Sequence, residues 1–181
     1  MRLLTITAVM GSVLMLVGWT AQHDVAIPRK CTAIETHQRT VLTTEDPTDG
    51  SGAPAYFRHC GPARAVVRVR GTSYAITGGF CGRRYSQTRW VYFGLIQNGN
   101  RPGAKGLSLV LQPANKDGRA NIVDSIVQVG GLDLAPRGTA VQSNGLRAGR
   151  FSGTWKGTQV RGSWVCVAGS FGDVRAKKLS G

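Results

Sequence analysis

Whatever chemistry this chain performs must come from a small set of reactive groups. The three histidines, His23, His37 and His59, all precede residue 61, and beyond Gly61 the only acids are Asp117, Asp124, Asp133 and Asp173. A Ser-His-Asp or Cys-His nucleophile would have to borrow its imidazole from the amino-terminal stretch. Asp124 and Asp133 could face each other as a glycosidase pair, but nothing in their spacing favours it, and isolated surface aspartates are the simpler reading. Asp117 opens an Asp-Gly turn, where capping its own backbone accounts for it. Glu35, His37 and His59 could hold a metal, yet as solvated polar residues they need none. Gly78-Gly79 and Gly130-Gly131 precede no helical pattern, so they are not phosphate loops. No catalytic residue, cofactor or metal is expected, and a small hydrolase or glycan-active enzyme ranks last among the function classes.

Positive charge is the property that points at partners. The chain carries 23 Lys+Arg against 9 Asp+Glu, a net +14, and arginine supplies 17 of those bases. Guanidinium forks suit phosphate, sulfate and carboxylate, and beside aromatic rings they stack on bases or sugars. The densest cluster is Arg83-Arg84-Tyr85, followed by Arg89-Trp90-Val91-Tyr92, so a loop over Gly82–Thr88 would present arginines beside an aromatic rim. Arg68 and Arg70 alternate with Val67 and Val69, which puts both on one solvent face of a strand. Lys177 and Lys178 lie in a basic tail, residues 169–181. Candidate binding residues are therefore Arg68, Arg70, Arg83, Arg84, Tyr85 and Arg89. The expected partner is an anionic polysaccharide, an acidic lipid surface or extracellular nucleic acid, held in a salt-sensitive way. Two rival readings remain: a protein-protein module presenting the Arg83–Trp90 loop, as in a secreted inhibitor or surface antigen, or charge that only keeps the chain soluble.

The elements that must position these groups are short and glycine-punctuated. Glycine accounts for 25 of 181 residues, about twice its ordinary share of roughly 7%, while charged residues make up 18%. That length suits one domain with appendages and excludes a large multidomain enzyme. From Leu3 to Trp19 there is no charge and only Arg2 precedes it, the pattern of a secretory signal or an uncleaved anchor over residues 1–20. Removing that segment leaves +13. The first cysteine is Cys31, too distant for a lipid-anchored start. Residues 21–60 are polar and threonine-rich, read as an irregular arm. Beyond them come eight β-patterned runs: Ala65–Arg70, Tyr74–Cys81, Arg89–Ile96, Leu107–Leu111, Ile122–Val129, Thr139–Gln142, Arg147–Gly153 and Gln159–Val167. Each is bounded by Gly, Asn or Pro, as in Asp117-Gly118 and Asn144-Gly145. Within them, Trp90, Tyr92, Phe93, Trp155 and Trp164 read as packing rather than as a sugar platform. The expected fold is all-β, a single sandwich or small barrel of about eight short antiparallel strands over residues 61–168.

Export makes the cysteines legible. Cys31, Cys60, Cys81 and Cys166 show no C-x-x-C spacing, which disfavours zinc and redox motifs and leaves two disulfides with three possible pairings. The preferred pairing joins Cys31 to Cys60 and Cys81 to Cys166. The second bridge would tie an early strand to the last, worth about 4 to 5 kcal/mol in the chain-entropy model.

Gly78-Gly79-Phe80-Cys81 near the domain's start, with Gly149-Arg150-Phe151-Ser152-Gly153-Thr154-Trp155 and Val160-Arg161-Gly162-Ser163-Trp164-Val165-Cys166 at its close, resembles the mycobacterial lipoprotein-antigen family. The resemblance covers roughly residues 64–167. It implies an exported β-sandwich in which an early-strand cysteine pairs with one in the last strand. It also implies an envelope or secreted role without an established catalytic site, and the family's lipobox is missing here.

Overall fold

Side-chain alternation decides which way each strand faces. In Arg64-Ala65-Val66-Val67-Arg68-Val69, Ala65, Val67 and Val69 are buried while Arg64, Val66 and Arg68 meet solvent. A computed structural model describes residues 30–45, 52–83, 88–98, 103–167 and 175–179. In chain order the elements begin with α1 (Ala33–Gln38), β1 (Val41–Glu45), β2 (Pro54–His59), β3 (Arg64–Val69), β4 (Thr72–Thr77), β5 (Gly79–Arg83) and β6 (Arg89–Gln97). There follow β7 (Lys105–Leu111), β8 (Arg119–Val129), β9 (Leu132–Leu134), β10 (Arg137–Ser143), β11 (Ala148–Trp155), β12 (Thr158–Val165) and β13 (Ala176–Lys178). The proposed signal segment, residues 1–20, lies outside the described residues.

The protein is all-β. One open mixed sheet runs β13-β1-β2-β6-β7-β8-β10-β11-β12-β3-β4, with β5 paired to β6 and β9 to β8. Ala55, Tyr56 and Leu95 form a small cluster on β2 and β6, while a larger core gathers side chains from the other strands. Val67 of β3, Ile76 of β4, Phe93 of β6, Leu107 and Leu109 of β7, Val127 of β8 and Trp164 of β12 all belong to it. Trp164 is 1% exposed, and its indole N–H donates to the Leu146 carbonyl at 3.1 Å. That bond satisfies the one polar atom of the largest core ring. Gly149, opposite Trp164 in the β11–β12 ladder, leaves the room the indole fills: a Cβ there would meet the ring at 2.1 Å.

Two sequence expectations are corrected by this geometry. Tyr74–Cys81 is two strands rather than one. Gly78 takes φ +82°, and a Cβ on Gly79 would strike the Tyr92 carbonyl oxygen at 2.2 Å. The kink shifts the alternation by one, so Ile76 and Cys81 both enter the core although an unbroken strand would separate them. The stretch read as an irregular arm also contains regular structure. Thr32 and Glu35 close a capping box on α1, and β2 pairs with β6, burying Val41, Leu42, Ala55 and Tyr56. Short apolar pairs among many threonines escaped notice because neither pair spans a full strand period.

Both disulfides join the preferred cysteines, Cys31 to Cys60 and Cys81 to Cys166, with Cα separations of 5.9 and 6.3 Å. Two such bridges fit an oxidising, extracellular environment. Among the described residues no helix is long and apolar enough to cross a membrane. Gly149→Ala should force its methyl into the Trp164 ring and cost about 1 to 3 kcal/mol, read as a lowered urea midpoint at unchanged m-value. An unchanged midpoint would mean that this contact is not tight.

Candidate functional site

Arginine on the outer face of β3 meets arginine on β12. Arg68 and Arg161 are direct cross-strand partners, both exposed, in an antiparallel pair where like charges face each other. Strands β3, β4, β10, β11 and β12 contain no Asp or Glu. The same outward register carries Arg64, Arg150 and Arg137, exposed on β3, β11 and β10. Arg119 adds to the row from β8, opposite Val141 of β10. Serines and threonines fill between them: Ser152 stands opposite Arg161, Ser163 opposite Arg150, and Thr154 opposite Arg137. On these five strands no carboxylate accompanies the cations.

One end of this face is concave. The β3–β4 connection is Arg70-Gly71 with φ of +51° and +81°, and the β11–β12 connection is Lys156-Gly157 with φ of +45° and +78°. Both are two-residue hairpin turns whose central residues have positive φ, as type I′ geometry requires. Pairing of β3 with β12, down to Val69 opposite Val160, brings the turns side by side. Between them lies a cleft of about 480 Å³ lined by Arg68, Arg70, Gly71, Gly157, Thr158, Gln159 and Arg161. That volume falls within the roughly 300 to 1,000 Å³ of small-molecule sites.

The candidates named from sequence separate into two groups. Arg68 and Arg70 come together in the cleft, with Arg161 added. Arg89 lies elsewhere: it shares the inward parity of Val91 and Phe93, is half-buried, and donates from its guanidinium to the Gln142 Oε1. Arg83 sits opposite Arg89 at the ends of β5 and β6, while Arg84 and Tyr85 lie outside the described residues. The two lysines of the basic tail are engaged with acids. Lys177 pairs with Glu35 at 3.4 Å and Lys178 with Glu45, as β13 runs parallel to β1. Sequence reasoning passed over Arg161, Arg150, Arg137 and Arg119 because each stands alone in the chain. The available signal was negative: from Leu134 to Gly172 there is no acid at all.

Residues weighed for catalysis are dispersed. Asp124 faces solvent on β8 and caps the Ser125 N–H, whereas Asp133 lies on β9 opposite Gln128. Four strand residues separate Asp124 from that position, or roughly 13 Å at ~3.3 Å per residue. That exceeds the ~5 to 9.5 Å of a glycosidase pair. Among the described residues no group of three His, Cys, Asp or Glu could hold a metal ion. His37 is exposed, and His59 is buried, stacked on Tyr92 at 5.1 Å and edge-on to Phe80 at 5.8 Å. Neither His59 nitrogen has a hydrogen-bond partner.

No protein-family profile, curated protein or solved structure matches this chain. The arrangement itself must therefore supply the functional reading.

His59 yields a pH test of the packing beneath the site. Burial desolvates its cationic form and lowers its pKa from 6.5 to about 3. A base with a depressed folded-state pKa leaves stability intact above pH 6.5. That stability drains as pH falls from 6.5 toward 3, by about 1.4 kcal/mol per unit. Urea unfolding at pH 7 and 5.5 should show this loss in the parent chain and little of it in His59→Phe, which keeps the stacking. Equal losses in both would show that the imidazole is solvated.

Proposed function

We propose that this chain is an exported, secreted or envelope-associated binding protein that holds an anionic polymer or surface on its arginine face. The observation that carries this reading is the Arg68–Arg161 pair on five strands without an acid. Like charges placed opposite one another oppose pairing, by a few tenths of a kcal/mol up to about 1. An anion spanning them turns that repulsion into attraction. The face offers phosphate, sulfate or carboxylate several guanidinium forks separated by hydroxyls. Aromatic rings are sparse on it, which favours recognition of charged groups over stacking of nucleobases.

We also infer that the domain works as a small barrel with a filled interior. Strand β4, on the β3 edge, runs through Gly78 into β5, on the β6 edge, so one bent strand links both ends of the meander. Core side chains occupy the inside, which leaves the outer surface for ligands. The uncharged segment near the amino terminus and the two disulfides support export.

Exposed Val66, Val141 and Val165 lie among the arginines, 36 to 45% exposed. They favour a second reading, an acidic protein partner, whose binding would persist at high salt through apolar contact.

Binding of the oxidised full chain to dextran sulfate, DNA and anionic vesicles across a salt series separates these. The polyanion reading expects the logarithm of the affinity to fall linearly with log salt. Arg68→Ala with Arg161→Ala should reduce the slope by about two and weaken binding about 10- to 100-fold. Arg83→Ala with Arg84→Ala should change it less. Should the order of those two variants reverse, the site would move to the β5–β6 end. Absence of binding to every polyanion at physiological salt would sink the reading.

A further inference from the structure

We propose that the cleft between the Arg70-Gly71 and Lys156-Gly157 turns binds a phosphate monoester carried on a hydroxylated body, a sugar or glycerol unit. This deepens the polyanion reading and rests on it. Type I′ turns favour Asn, Asp or Gly at their first central position, where φ is positive. At two neighbouring turns that position holds a cation instead, Arg70 at φ +51° and Lys156 at φ +45°. Arg70 lines the cleft from that strained position, whereas the Lys156 ammonium sits over the Trp155 ring, 5.5 Å from its centroid.

The charge count inside the cleft selects the anion. Arg68, Arg70 and Arg161 line it, and no acid does. A carboxylate brings one charge and two oxygens, leaving two of the three arginines uncompensated. A phosphate monoester brings about −1.5 to −2 and three terminal oxygens, enough for forks from two strands and a turn. A volume of about 480 Å³ exceeds what the phosphate alone fills. The remaining wall is the Thr158 hydroxyl and the Gln159 amide, uncharged groups that donate to and accept from hydroxyls. No aromatic ring lines the cleft, so a nucleobase would find nothing to stack on.

The test is calorimetric titration of the oxidised full chain with glycerol 3-phosphate, inorganic phosphate and glucuronate, with dextran sulfate in a separate arm. Glycerol 3-phosphate should bind at least tenfold more tightly than glucuronate and severalfold more tightly than inorganic phosphate. Arg161→Ala should cost at least tenfold in glycerol 3-phosphate affinity without lowering the melting temperature. Gln159→Ala, which alters no charge, should erase the advantage over inorganic phosphate. Equal binding of glycerol 3-phosphate and glucuronate, or indifference to Arg161→Ala, would overturn the proposal. Dextran sulfate binding without glycerol 3-phosphate binding removes the cleft site and leaves the polyanion face standing; loss of both removes both. Given glycerol 3-phosphate binding, retention on phosphatidylcholine vesicles containing phosphatidate would assign the ester to a lipid, and its absence to a soluble or polymer-borne source.

Discussion

With no long helix among the described residues to cover it, the apolar face of the sheet leaves water by curling onto itself. The Trp164 indole packs against Gly149, and its N–H is satisfied by the Leu146 carbonyl. The two-glycine kink at Gly78-Gly79 turns the chain from the β3 edge to the β6 edge. The Cys81–Cys166 bridge joins β5 to the end of β12. It closes a long loop and so restricts the unfolded chain. Core packing, kink and staple all answer one demand, that a sheet with few helical neighbours bury most of one face.

The other face is the necessary consequence. Its residues alternate with the core positions, so each arginine that faces water is held in register by a buried neighbour. Arg68 stands between Val67 and Val69, and Arg161 next to Val160. A rigid ladder fixes their spacing in a way a flexible loop would not. Surface cations repel only weakly through water and salt, so the fold tolerates Arg68 against Arg161 without a compensating acid. Glu35 and Glu45 lie elsewhere, in ion pairs that dock β13 on the α1–β1 region. Among the described residues charge is thereby sorted: paired where β13 meets α1 and β1, and without an acid on the strands of the β3–β12 face.

Much of the fold was legible in local pattern. The strand runs, the Gly-punctuated turns, the burial of Phe93 and Trp164 and both cysteine pairs agree with the structure, because period-two alternation and β-branched composition are properties of neighbouring residues. The kink between β4 and β5 was less legible. Gly78 and Gly79 fit an unbroken alternation, and only the positive φ of Gly78 and the approach of the Tyr92 carbonyl to Gly79 show why neither bears a side chain. Regular structure in the threonine-rich stretch was missed because its apolar residues come in pairs, and pairing with β6 is what orders them.

By itself the sequence determined class and charge: an all-β chain with two disulfides, strongly basic, with acids absent over long stretches. Those are sums and periodicities, additive along the chain. Tertiary structure decided which bases meet. Arg68 and Arg161 are 93 residues apart in sequence and direct partners in the sheet, and two turns far apart in the chain became the walls of one cleft. Register between distant strands sets such encounters. It depends on how the whole core packs, which no local window contains.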